Sequence, residues 1–159
     1  FSYSMELFPT LNGNGCTKNH MISLGKIIEI ESKMPGKKEE YKRLSEIPNP
    51  FSHRAEVPLY LCDMAISNFL IDYQGYLNPC HKCRMKKWNL LEDDFKTAWN
   101  DYASLLKQRA SADNKCLKCK YLMMCSPCII VNYLSTGDYN VPAETVCKLT
   151  HLRVEMCNS

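Results

Sequence analysis

Basic residues never gather into a patch. The 20 lysines and arginines face 17 acidic residues, for a formal charge of +3, and they are scattered along the chain. That excludes the dense positive stripe a nucleic-acid surface needs. Long apolar runs are missing too. The longest, Cys128 to Leu134, contains Asn132 and is far short of a membrane span. Glycine is sparse, with 6 residues, and none sits in a phosphate-cradling loop. No Ser/His/Asp arrangement and no paired carboxylates offer hydrolytic or acid–base chemistry. No charged and apolar leader marks secretion. The chain opens at Phe1 rather than at a methionine, and it reads as a piece of a longer protein.

Cysteine, by contrast, is abundant, with 10 in 159 residues. Four of them fall in Cys116-Leu-Lys-Cys119-Lys-Tyr-Leu-Met-Met-Cys125-Ser-Pro-Cys128, a C-x2-C-x5-C-x2-C run. Two cysteines separated by two residues turn both sulfurs toward one metal centre. In a reducing cytoplasm that pattern points to metal binding rather than disulfides. An even count also permits a disulfide-rich secreted domain, which the C-x2-C pairs disfavour. Cys80-His81-Lys82-Cys83 is a further C-x2-C pair. With Cys116 and Cys119 it makes up the ligand set of a structural zinc site, in a module that binds a peptide without redox chemistry.

The remaining pattern predicts an α+β chain. Residues 1–8 alternate apolar and polar as a strand. A loop containing Cys16 follows, and Ser23 caps a helix bearing Leu24, Ile27, Ile28 and Met34. Pro35-Gly36 stops that helix, a charged second helix spans 37–44, and Ile47-Pro48-Asn49-Pro50 is a linker. Residues 1–50 thus resemble the tail of a β/α domain. A second unit, 57–159, begins with a short hairpin that turns at Gln74-Gly75 and presents Cys80. A helix over 93–109, with Asp93 as a candidate cap, places Phe95, Trp99 and Tyr102 in the core. The cysteine run lies in a loop. Pro127 and Pro142 open two final helices, the first closed by Gly137. Cys16 and Cys157 are free thiols, Trp88 is core, and His151, one turn beyond Cys147, is placed to support a metal-bound sulfur.

Taken together, the cysteines read Cys62-x12-Gly75-x4-Cys80, then Cys116-x2-Cys119-x5-Cys125-x2-Cys128, then Cys147. This resembles the SPASM domain, the C-terminal auxiliary-cluster domain of many radical SAM enzymes that modify peptides. That family's pattern is C-x(9–15)-G-x4-C, then C-x2-C-x5-C-x3-C, then C. This chain departs from it in the x2 spacing of Cys125 and Cys128. A subgroup has C-x2-C-P here, but with proline after the last cysteine, whereas Pro127 precedes Cys128. Thr136-Gly137-Asp138 and Cys147-x3-His151-x-Arg153 are similar to that subgroup. The resemblance covers about residues 57–156. Residues 1–34 are more distantly similar to the last strand, loop and helix of a radical SAM partial barrel.

The resemblance implies two four-iron four-sulfur clusters. Cys116, Cys119, Cys125 and Cys147 would hold the distal one. Cys62, Cys80 and Cys128 would hold the proximal one, left either open or capped by Cys83. At about −2 per oxidised cluster, two would take the domain from +3 to about −1. The implied role is electron transfer or the positioning of a peptide or protein substrate, in the cytoplasm, beside a radical SAM barrel and a ferredoxin or flavodoxin donor. The C-x3-C-x2-C triplet of the catalytic cluster occurs nowhere in residues 1–159, so S-adenosylmethionine would belong to the missing barrel.

Overall fold

A computed structural model describes residues 22–84 and 86–158. The expected strand over 1–8 and Cys16 lie outside them. The described chain is α+β, with six α-helices and one three-stranded antiparallel sheet.

Helix α1, Leu24–Ser32, starts where Ser23 Oγ accepts the Lys26 N–H at 3.2 Å. On its outer face Lys26 and Lys33 clamp Glu29 at 2.7 and 2.8 Å. The helix stops at Ser32, so Met34 falls in the turn beyond it. Helix α2, Lys37–Glu46, is two residues longer than the expected charged segment. Both helices pack on α6, Glu144–Asn158, and α2 also packs on α4, Leu122–Cys125. Tyr41, Met124, Val154 and Met156 form the apolar cluster between them.

The sheet is built from β1, Leu70–Ile71, β2, Tyr76–Asn78, and β3, Trp88–Asn89, in that order. Leu77 pairs with Ile71 on one side and Trp88 on the other, and it is wholly buried. The hairpin is the expected one, while β3 is an added strand. Helix α3, Phe95–Ser104, crosses behind the sheet and runs on into a 3-10 turn, Leu105–Lys107. Its buried face is Ala98 and Tyr102, packed with Ala65 and Leu77. The Tyr102 hydroxyl donates to the Leu77 carbonyl at 2.9 Å.

Two expectations for α3 need correction. Asp94, not Asp93, caps it, accepting the Thr97 N–H at 2.8 Å, while Asp93 accepts from the Asn89 N–H. The aromatic stripe divides. Tyr102 is core, but Phe95 and Trp99 stack on each other and meet Phe69 edge-on at the surface. Phe95 is 42% exposed and Phe69 51%. Phe69 and Phe95 are exposed and Trp99 is half-buried, and the three rings cover one another. Trp88 is half-buried against the core, its indole N–H on Asp101 at 2.8 Å.

The cysteine run is less of a loop than its sequence suggests. It holds a 3-10 turn, Lys115–Lys118, and the single-turn helix α4. Helix α5, Ile129–Thr136, has Cys128 as its N-cap residue, so Pro127 precedes the helix rather than opening it. It ends at Gly137, whose φ of 80° is the left-handed stop expected there. A third apolar cluster, Leu59, Tyr60, Met64, Cys83, Ile129 and Ile130, joins α5 to the segment that leads into the sheet.

Candidate metal centre

The nine described cysteines are all free thiols. Eight of them fall into two groups.

The first group is Cys116, Cys119, Cys125 and Cys147. Its C-x2-C turn is held from two directions. Asn114 Oδ1 accepts the Cys116 N–H at 2.9 Å, and the Cys119 N–H donates to the Cys116 carbonyl at 3.1 Å. From the linker, the buried Asn49 amide donates to the carbonyls of Leu117 and Cys119 at 2.8 and 3.0 Å. Cys125 comes from the last residue of α4, and Cys147 from the first turn of α6. All four thiols line one cavity of about 140 Å³, with Leu122, Thr150 and His151 in its wall. Burial pushes the Cys116 thiol up to about 11, and charge on Cys125, Cys119 and Cys147 adds to that shift. Burial also raises Cys125, opposed by the Thr150 hydroxyl and by Arg153. A bare thiolate is unwelcome here. A bound cation would reverse that, since metal ligation deprotonates thiols outright.

The second group is Cys62, Cys80, Cys83 and Cys128. Cys83 is 6% exposed and sits in the third apolar cluster, with Cys80 and Cys128 packed against it. Burial pushes Cys83 up to about 12, and charge on Cys80 and Cys128 adds to it. Burial likewise raises Cys80, which also feels Cys128 and Cys62. The N–H groups of Lys82 and Cys83 reach the Cys80 sulfur and partly offset its burial. Cys62 is the exposed member.

Cys125 and Cys128, three residues apart, therefore serve different groups. Ser126 makes the division. It lies at φ 44°, in the left-handed region, as the stop of α4, and the chain then turns through Pro127 into α5. Among the described residues, no three His, Cys, Asp or Glu side chains converge closely enough to hold a metal ion. The two pairs that a four-cysteine zinc site would join, Cys80–Cys83 and Cys116–Cys119, stand in separate groups.

No family model matches the chain. Comparison of the chain with family models, with curated sequences and with solved folds returned nothing similar. The resemblance to SPASM domains accordingly rests on cysteine spacing.

Several supporting residues had little or no signal in the sequence. Asn49, read as linker, holds the C-x2-C turn through a contact 70 residues away. Asn114 was legible in principle, because asparagine two residues before a turn bonds the backbone ahead of it. His151 does line the cavity, edge-on to Tyr121 with ring centroids 5.5 Å apart. His53 and His81 are exposed. Cys157 stands apart from both groups, its thiol 3.4 Å from the Lys38 carbonyl.

Proposed function

We propose that this chain is an auxiliary iron–sulfur domain with two cluster sites. It would act as the C-terminal portion of a radical SAM maturase that modifies a peptide or protein in the cytoplasm. The observation that carries the reading is the sorting of the thiols. Cys147 joins Cys116, Cys119 and Cys125 across more than 20 residues of chain, and Cys128 leaves its near neighbour to join Cys80 and Cys62. The spacing resemblance implies that same division.

The donor chemistry also supports a cluster over a single ion. A cavity of about 140 Å³ is several times the roughly 30 Å³ share of one water, so a group of several atoms fits between the sulfurs. Thiolates spread around such a space suit iron–sulfur ligation, whereas a lone zinc draws its ligands to about 2.3 Å. Bound clusters supply one-electron chemistry. The residues of this chain hold them, shield them with apolar side chains, and set their potential through N–H and O–H groups near sulfur. The partners this reading implies are a peptide substrate, the radical SAM barrel that carries S-adenosylmethionine, and a ferredoxin or flavodoxin.

The test is iron, sulfide and zinc per chain after anaerobic reconstitution. About eight irons and eight sulfides, with a brown colour, are expected for two four-iron clusters. Colourless protein with zinc and no sulfide would replace this reading with the structural zinc module.

A further inference from the structure

We propose that the outer edge of β1 and the adjoining side of α3 form a docking surface for an extended segment of another polypeptide, apolar at alternate positions and carrying lysine or arginine between them. The surface uses none of the thiols, so it stands apart from the iron–sulfur reading.

The sheet's own register places it. Paired residues share a face of a sheet, and Ile71 pairs with Leu77, which packs on Ala98 and Tyr102 of α3. Ile71 therefore lies on the α3 face, yet it is 47% exposed. Phe69, two residues earlier along extended chain, turns to the same face. Its ring meets Phe95 at 5.5 Å and Trp99 at 5.9 Å between centroids. Helix α3 thus covers the middle of the sheet and leaves an apolar seam along β1. The backbone is open there as well. β1 is the end strand of the three, and the Asp72 N–H bonds the Tyr76 carbonyl at 3.0 Å. By the alternation of an antiparallel ladder, Ile71 then turns its N–H and carbonyl away from β2. An exposed strand edge beside exposed apolar side chains is the usual template for an added strand. With only two residues in the β1 ladder, the three rings supply most of the area to be covered.

Charge selects the occupant. Asp72 follows Ile71, Asp94 precedes Phe95, and Asp63 holds Ser67, two residues before Phe69, at 2.9 Å. The cation next to these rings in sequence is Lys96. Bonds from Ser67 and from Thr97 hold Asp63 and Asp94 below the ordinary carboxylate range, so both stay charged at neutral pH. A basic segment is attracted to that rim, and its cations also sit well on aromatic faces. A second copy of this chain would bring the same carboxylates to the seam, and like charges across an interface repel.

The test titrates the full chain, purified anaerobically, with three labelled octapeptides. One alternates lysine with valine and phenylalanine, one has glutamate in place of lysine, and one gathers the apolar residues of the first at one end. Fluorescence anisotropy reads binding, and amide hydrogen exchange follows Ile71. The alternating lysine peptide alone should saturate, bind less tightly as salt rises, and slow exchange at Ile71. Ile71→Lys and Phe69→Ser should each weaken it at least about tenfold, with circular dichroism unchanged. Ile71→Lys alters only an exposed side chain, so it decides the matter if Phe69→Ser fails to fold. No saturable binding, equal binding of either control peptide, or wild-type affinity in Ile71→Lys overturns the proposal. A wild-type dimer that Ile71→Lys abolishes overturns it too, by giving the seam to a second copy.

Discussion

Glu31 is 1% exposed, and a carboxylate so deeply placed must be paired. Arg153 of α6 meets it with two bonds, Nη2 to Oε1 at 2.6 Å and Nε to Oε2 at 2.9 Å, and the Tyr41 hydroxyl adds a third at 2.9 Å. The Arg153 guanidinium also lies over the Tyr41 ring, and its charge reaches Cys125. One arginine thus ties α1 and α2 to the helix that carries Cys147. Arg153→Met should cost about 3–5 kcal/mol, because it strands a buried carboxylate. Urea unfolding of the metal-free protein would measure this. Adding Glu31→Gln should recover much of the loss, and a double variant as unstable as the single one would refute the pairing argument. Nothing in the sequence announces this contact. Its partners are 122 residues apart, and neither sits in a periodic pattern that names the other. The cysteines were legible for the opposite reason: their chemistry is rare and their spacing short.

At the level of single elements, local chemistry is enough where the element is closed by its own neighbours. Ser23 and Gly137 mark helix ends by capping geometry that involves only adjacent residues. Gly75 sets the hairpin by the same logic. Its φ is 88°, its N–H bonds the Asp72 carbonyl at 3.0 Å, and Asp72 Oδ1 accepts from Gln74 and Tyr76. A Cβ there would meet Asn89 Oδ1 at 2.7 Å and Leu91 at 3.0 Å. Gly75→Ala should therefore cost at least about 1–2 kcal/mol from backbone strain alone, with a further penalty from displacing the Asn89 and Leu91 side chains. Lower thermal stability and reduced iron loading at the Cys80 site are expected. A variant as stable as wild type would refute the backbone-strain argument at this turn. The third strand and the outward Phe95–Trp99 pair were not legible. A two-residue strand carries no period, and a helical stripe shows which residues share a face without saying how much of that face its partner can cover.

Among the described residues the apolar core is divided. Three small apolar clusters share it, one of them holding Cys83 with Cys80 and Cys128 packed against it, and two of them joined only through the partly buried Leu105. For small domains built this way, metal binding energy becomes folding energy. The reduced, metal-free protein should melt broadly, and its stability should depend on alkaline pH. Burial raises Cys83 from 9.0 to about 12 and Cys116 from 9.0 to about 11. In that window the unfolded chain has released its thiol protons and the folded chain has kept them. Unfolding then releases protons, so stability present below pH 9 is lost as pH rises toward 11–12. Urea midpoints across that range should fall steadily, and a flat profile would mean these thiols are hydrated in the folded state. The reconstituted protein, whose thiols are already deprotonated, should lack this slope.

The left-handed turn at Ser126 has one more effect. It makes Cys125 and Cys128 the ends of a bridge of two residues, three steps of chain, between the two sulfur groups. Three steps reach at most about 10–11 Å even when fully extended. Redox centres held by these sulfurs would be tied to the two ends of one short stretch of backbone, whose Cα atoms stand no more than about 10–11 Å apart. Lengthening that bridge by inserted residues would move one centre away from the other while leaving both ligand sets whole.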